Sequence, residues 1–334
     1  MLLSRIDIRW SHADTQAYRH LIWVDTDLWL GGNHGAVTRL RAQELSVQAE
    51  LESPIVGLDA NLTSVGASDS RGNCLIITGE QHLTWAAGPV GAGISLARPR
   101  IVSAHGDQLR FGGHRSVHSL GIGVGQLRGF AHVTAHLIAA IGIDGLAWVD
   151  PISETTDGFV PMPTPVAIAV RSDGELTAVG DTSGRVHVVR SGTDQGCELD
   201  GYPDRVNLVC WLGRSLCAVS ADEVTVWEVP EDGAAPTCPP TLLNSDTGGH
   251  DTTITAFSPL LGIPYASNLL VTGDQDGTIL LWHPTIAECP IARAPHISNS
   301  AVLALKWNAD GSQFAATFSD GQIGIFSFHV GEIT

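Results

Sequence analysis

Short apolar runs recur along the chain, each followed by a turn containing Gly or Asp and then an alternating strand that ends in a bulky residue. Seven segments share the pattern: LWLGGNHGAVTRL ending at Leu40, LIITGEQHLTW at Trp85, LIAAIGIDGLAWV at Val149, LTAVGDTSGRVHVV at Val189, LCAVSADEVTVW at Trp227, LVTGDQDGTILLW at Trp282 and FAATFSDGQIGIF at Phe326. Runs rich in Val, Ile, Leu and Thr around Asp-Gly, Ser-Gly or Asn-His-Gly read as β-hairpins, since these turns make a positive φ cheap. Helical periodicity is weak throughout, and 37 glycines and 17 prolines would break most long helices.

Successive segment ends lie 38 to 64 residues apart, averaging about 48, in the range of a four-stranded propeller blade. Two repeats show the preceding strand as well: residues 165–179 and 301–317 run strand, Asp-Gly turn, strand into the hairpin. The expectation is a single domain over residues 1–334, an all-β, seven-bladed β-propeller of four-stranded antiparallel blades. Counts of six and eight also fit the spacing, and residues 86–116 form either a long insertion or part of another blade. Residues 4–10 alternate polar and apolar with period two, as a half-buried strand should. They lie too far before the first hairpin to belong to it, and few residues follow Phe326. The N-terminal strand is therefore expected to complete the last blade and close the ring.

GGHDTTITAFSP (residues 248–259) followed by LVTGDQDGTILLW resembles a WD40 repeat, with Gly249-His250 matching its opening Gly-His and Trp282 its closing Trp. ADGSQFAATFSDGQIGIF and SDGELTAVGDTSGRVHVV are also similar to WD40 units, so the resemblance spans about residues 164–328. It implies that His250, Thr272, Asp276 and Trp282 form the family's hydrogen-bonded tetrad. It also implies that one face of the disc serves partners. The hairpin turns place Glu80, Asp144, Asp181, Asp222, Asp274 and Asp320 together on that expected face. Asp before Gly is ordinary turn chemistry, but a ring of such acids would also select a basic partner.

Charge, cysteines and candidate chemistry narrow the function. The formal charge of −17 works against generic binding to nucleic acid or anionic lipid, and no run approaches the ~18 continuous apolar residues of a membrane span. An arginine group at Arg98, Arg100, Arg110 and Arg115 reads as a solvated loop. The six cysteines form no C-x-x-C pair and read as buried free thiols in a reducing, cytoplasmic compartment. No phosphate-binding loop or nucleophile elbow occurs. The pairs His114/His118 and His132/His136 have H-x-x-x-H spacing, but in a strand that places the two rings about 13 Å apart, too far for one metal. No cofactor, metal or catalytic residue is therefore expected. The innermost strands recognised in the sequence (VAIAV, NLVCWL, TITAF and VLALKW) offer almost nothing ionisable. The reading is a non-catalytic scaffold for protein–protein interaction. The alternatives are a propeller enzyme or small-molecule binder using the central channel, and a metal-handling protein.

Overall fold

The structure is a computed structural model that describes residues 4–86, 91–96, 101–113, 116–260 and 268–330. These residues form eight four-stranded antiparallel sheets. The sheets are blades 1 to 8: residues 18–50, 55–86, 91–121, 127–161, 165–199, 208–243, 254–293, and 302–330 with residues 4–13. The first strand of each blade contacts the first strand of the next, and that of blade 8 returns to that of blade 1. The sheets are thus arranged around one axis, with these first strands innermost.

Eight blades correct the expected seven. The additional blade, residues 91–121, lies inside the 64-residue interval before Val149. It escaped the sequence pattern for local reasons. Its innermost strand is GAGIS, its second strand is only four residues long (Val102–His105), and its third, QLRFGG, ends in two glycines instead of a bulky residue. Burial supplies what the pattern lacks, since Val102, Ala104, Leu109 and Phe111 are all buried against blade 4.

The same principle explains the other blades. Second strands are sandwiched on both sides by neighbouring blades, so Leu176–Asp181 and Ser215–Ser220 are buried at every position and read as continuous apolar runs. Outermost strands such as Glu44–Glu50 are mostly exposed and carry the polar residues. The outermost strand of blade 8 is Ser4–Ala13, which pairs antiparallel with Gln322–Val330 from Ser4↔Val330 to Ala13↔Gln322. Its Ile6 is buried against Phe326 and Trp307 in the core between blades 7 and 8.

Two devices hold the innermost strands together. At equivalent positions, Trp23, Trp211 and Trp307 each donate their indole N–H to a backbone carbonyl of the preceding blade: Lys306 (3.1 Å), Ala169 (3.3 Å) and Ser258 (3.1 Å). Blades 2 and 3 instead approach through glycine. A Cβ on Gly57 would lie 2.7 Å from Gly93 Cα and 2.8 Å from the Ile94 backbone nitrogen. Because those atoms are backbone, no rotamer relieves the clash. Gly57→Ala is expected to destabilise the fold by about 1–3 kcal/mol in urea unfolding. Gly121→Ala, where the added carbon meets nothing within 4 Å, should stay within about 0.5 kcal/mol.

Candidate functional site: the turn face and the axial cavity

Consecutive strands of a blade run antiparallel, so all turns between second and third strands emerge on one face of the disc, here the 2–3 face. Turns between first and second and between third and fourth strands emerge on the opposite face. This assignment moves one expected residue. Glu80 lies between Asn73–Thr78 and Gln81–Ala86, the third and fourth strands of blade 2, and so stands on the opposite face from the other five acids.

Two more of the expected partner residues are buried. Asp181 and Asp274 are 0% and 2% exposed, each at the end of a second strand with its carboxylate turned into its own hairpin. Asp181 accepts hydrogen bonds from the Ser183 and Arg185 backbone N–H groups and from Ser183 Oγ, and its Oδ2 lies 3.0 Å from His187 Nε2. Asp274 accepts from the backbone N–H groups of Asp276 (3.0 Å) and Thr278 (2.9 Å). Asp69 does the same in blade 2, accepting from Arg71 and Asn73. These carboxylates shape turns and are unavailable to a partner.

The tetrad also takes a different acid. His250 Nδ1 lies 2.8 Å from Asp274 Oδ2, His250 Nε2 lies 2.7 Å from Thr272 Oγ1, and Trp282 Nε1 donates to Thr272 Oγ1 at 2.7 Å. The acid is Asp274 and not Asp276. Thr272 and Asp274 are two residues apart on one strand and so share a face, whereas Asp276 lies in the exposed turn. A relay in which Trp282 donates to Thr272, Thr272 to His250 and His250 to Asp274 satisfies every donor. Burial acts to raise the Asp274 pKa, but the hydrogen bond from His250 and those from the turn outweigh it, and the net shift is downward.

Asp144, Asp222 and Asp320 do stand at the surface of the 2–3 face, where they are exposed or half-buried. The additional blade contributes Asp107 there, and blade 7 contributes Asp276. Among the described residues none of these five forms an ion pair, although on the opposite face Asp27, Asp173 and Glu231 pair with Arg39, Arg171 and Arg214. Asp320 is held in place by Ser298 Oγ and the Gln322 backbone N–H.

The axis is more polar than the recognised strands suggested. Innermost strands of the N-terminal half and blade 8 bring Arg19, His20, Asp59, Arg128, His132 and Lys306 to it. The blades of Arg19, His20, Asp59, Arg128 and His132 were poor matches to any repeat, which is why sequence reasoning missed them, whereas Lys306 lies in the recognised strand VLALKW. A cavity of about 890 Å³ opens between blades 2, 3 and 4, lined by His20, Asp59, Ser95, Phe130 and His132 among others. A smaller cavity of about 270 Å³ shares His20 and Leu58 and adds Arg19 and Lys306. Burial and the Arg19 charge push the His20 pKa down to about 4, against a hydrogen bond with the Ile55 backbone. Burial likewise lowers that of His132, against the field of Asp59.

The histidine pairs do not converge. His132 lines the cavity while His136 sits in an exposed turn, and His118 faces Glu154 at 3.4 Å. No group of three or more His, Cys, Asp or Glu side chains comes together among the described residues. His114, Arg98, Arg100 and Arg115 lie outside the described residues.

Comparison with known proteins agrees with this geometry. The family model described as "WD domain, G-beta repeat" matches residues 241–283, which span the last strand of blade 6, the tetrad and most of blade 7. No curated protein matches the chain in sequence. Among solved structures, the computationally designed Ika8 protein is 15% identical with a TM-score of 0.75, covering 95% of this chain and 98% of its own. Chaetomium thermophilum Sqt1, solved bound to the N-terminus of the ribosomal protein L10, is 14% identical with a TM-score of 0.77, covering 94% of this chain and 97% of its own. The ring of blades, the tetrad closed by His250 and Trp282, and the matched repeat together make this chain a β-propeller that carries a WD40 repeat at residues 241–283.

Proposed function

We propose that the protein is a non-catalytic platform that holds a basic protein segment on its 2–3 face. The observation that carries this reading is the set Asp107, Asp144, Asp222, Asp276 and Asp320, presented by turns of blades 3, 4, 6, 7 and 8 without an ion-pair partner among the described residues. Turns fixed by a rigid disc bind with little ordering cost, and unpaired surface acids attract a cationic partner at long range. Sqt1, with the same fold, holds the N-terminus of a ribosomal protein, which supports a peptide-like ligand for a disc of this shape. The compartment belongs to the same reading: Cys238 and Cys289 are exposed free thiols, and Cys210 sits directly opposite Cys217 as a free pair, an arrangement suited to reducing conditions.

Affinity capture from native cells tests it, using the wild type and the quadruple variant Asp107→Asn, Asp144→Asn, Asp222→Asn, Asp320→Asn. Each exposed charge pair contributes about 0.2–1 kcal/mol, so the variant should bind the captured protein about tenfold or more weakly, and raising salt should weaken the wild type similarly. Binding indifferent both to salt and to the four substitutions would refute the reading.

A further inference from the structure

The cavity between blades 2, 3 and 4 has a structural cause that points to an occupant. Blades 1, 6 and 8 fill one position of the innermost strand with Trp23, Trp211 and Trp307, each bonded to the preceding blade. Counted from the first paired residue as for Trp23 and Trp307, the same position holds Ala60 in blade 2 and His132 in blade 4. Leu96 follows the strand at that place in blade 3. Val170 and Pro259 stand there in blades 5 and 7, so only blades 1, 6 and 8 carry an indole at this position, and the space of about 890 Å³ lies among the smaller side chains of blades 2, 3 and 4. This is within the range of small-molecule sites.

The polar groups lining it are unevenly satisfied. Asp59 Oδ2 accepts from Ser95 Oγ (3.1 Å) and from the Leu96 backbone N–H (2.7 Å). Its Oδ1 takes no hydrogen bond from a described residue and is not sealed from solvent. Both ring nitrogens of His132 are buried and unpartnered, where the tryptophans of other blades reach a carbonyl. A buried polar atom without a partner is costly, so a ligand that bonds His132 recovers that cost. Phe130 stands beside it, its ring centroid 6.4 Å from that of His132.

Charge selects the ligand class. Asp59 is the one carboxylate among the described lining residues, and the two lining histidines have lowered pKa values. Lys306 feels the field of Asp59 but lines the neighbouring cavity and makes no ion pair with it. We propose that this cavity binds an organic ammonium group, with its charge against Asp59 Oδ1 and the face of Phe130, a polar atom on His132, and an apolar body along Leu58 and Ile94. An ammonium against a carboxylate and an aromatic face is the pairing these groups favour. The mouth lies beside the turn of Asn61 and Leu62, on the opposite face from the acids of the 2–3 face, so this site is independent of the partner surface above.

Calorimetric titration of the full chain with 2-phenylethylamine and with its neutral isostere 2-phenylethanol tests the proposal. The amine should saturate the protein and bind at least tenfold more tightly than the alcohol. Asp59→Asn should bring the amine down to the level of the alcohol. His132→Trp, which restores the indole used in other blades, should reduce amine binding tenfold or more without lowering the melting temperature, so the test survives a misfolded Asp59 variant. Nα-acetyl-lysine methylamide distinguishes the source. Its binding assigns a lysine side chain of a polypeptide, and binding by 2-phenylethylamine alone assigns a free amine, either supporting an ammonium site. No saturable binding of either amine, equal binding of amine and alcohol, or a folded variant that binds like the wild type would overturn it.

Discussion

Asp274→Ala is expected to cost about 3–5 kcal/mol of stability, and Asp276→Ala, two residues away, less than about 0.5 kcal/mol. The difference comes from burial. Removing the Asp274 carboxylate strands His250 Nδ1 and two backbone N–H groups in the interior, and through His250 loosens the link to Thr272 and Trp282. Asp276 is exposed and contributes only its backbone N–H, which alanine keeps. Equilibrium urea unfolding of the two variants against the wild type measures both values. The acid dependence follows from the direction of the shift. The folded-state pKa of Asp274 lies below its ordinary value of 3.8, so its contribution is complete above the unfolded pKa and is lost as the pH falls through the folded one. The gap between wild type and Asp274→Ala should therefore be constant from neutral pH to about 5 and shrink below about 4. Equal stability of the two aspartate variants at neutral pH would mean that the tetrad does not include Asp274.

Deleting residues 1–13 is expected to lower the melting temperature by about 10 °C or more. Burial of Ile6 contributes about 2 kcal/mol. The ladder from Ser4 to Ala13 adds hydrogen bonds of about 0.5–1 kcal/mol each. The deletion also uncovers the edge of Gln322–Val330 and the core around Phe326 and Trp307. An exposed edge next to an opened core promotes association, so the truncated chain should also self-associate in sedimentation. Blade 8 contacts both blade 7 and blade 1, and the loss should therefore appear as one lowered transition of the whole disc. A truncated chain that melts at the wild-type temperature would show that the N-terminal strand closes nothing.

Legibility in the sequence differs from blade to blade, and the reason is physical. Blades 5, 7 and 8 carry bulky residues in their second and third strands, and their turns are Asp- and Gly-rich, so periodicity alone exposed them. Blade 3 has small residues in its innermost strand, and its buried Leu109 and Phe111 pack on Ile122, Val124 and Ile138, contributed by the connection to blade 4 and by blade 4 itself, so no local pattern announces it. Asp181, Asp274 and Asp320 look alike as turn acids in the sequence. In the folded chain two face inward and one outward. Glu80 reads as part of the same ring, yet one strand of difference in its hairpin puts it on the other face.

What the chain determines by itself is its repetition, alternating apolar strands and glycine-bearing turns, because each depends on neighbours within a few positions; of the tetrad it marks His250, Thr272 and Trp282 but not Asp274. How many blades close the circle, which carboxylates reach solvent, and that Asp59, Phe130 and His132 meet around one cavity were decided only in three dimensions. Those properties depend on which strand lies beside which across the axis, and on whether an indole or a smaller side chain fills the place between them.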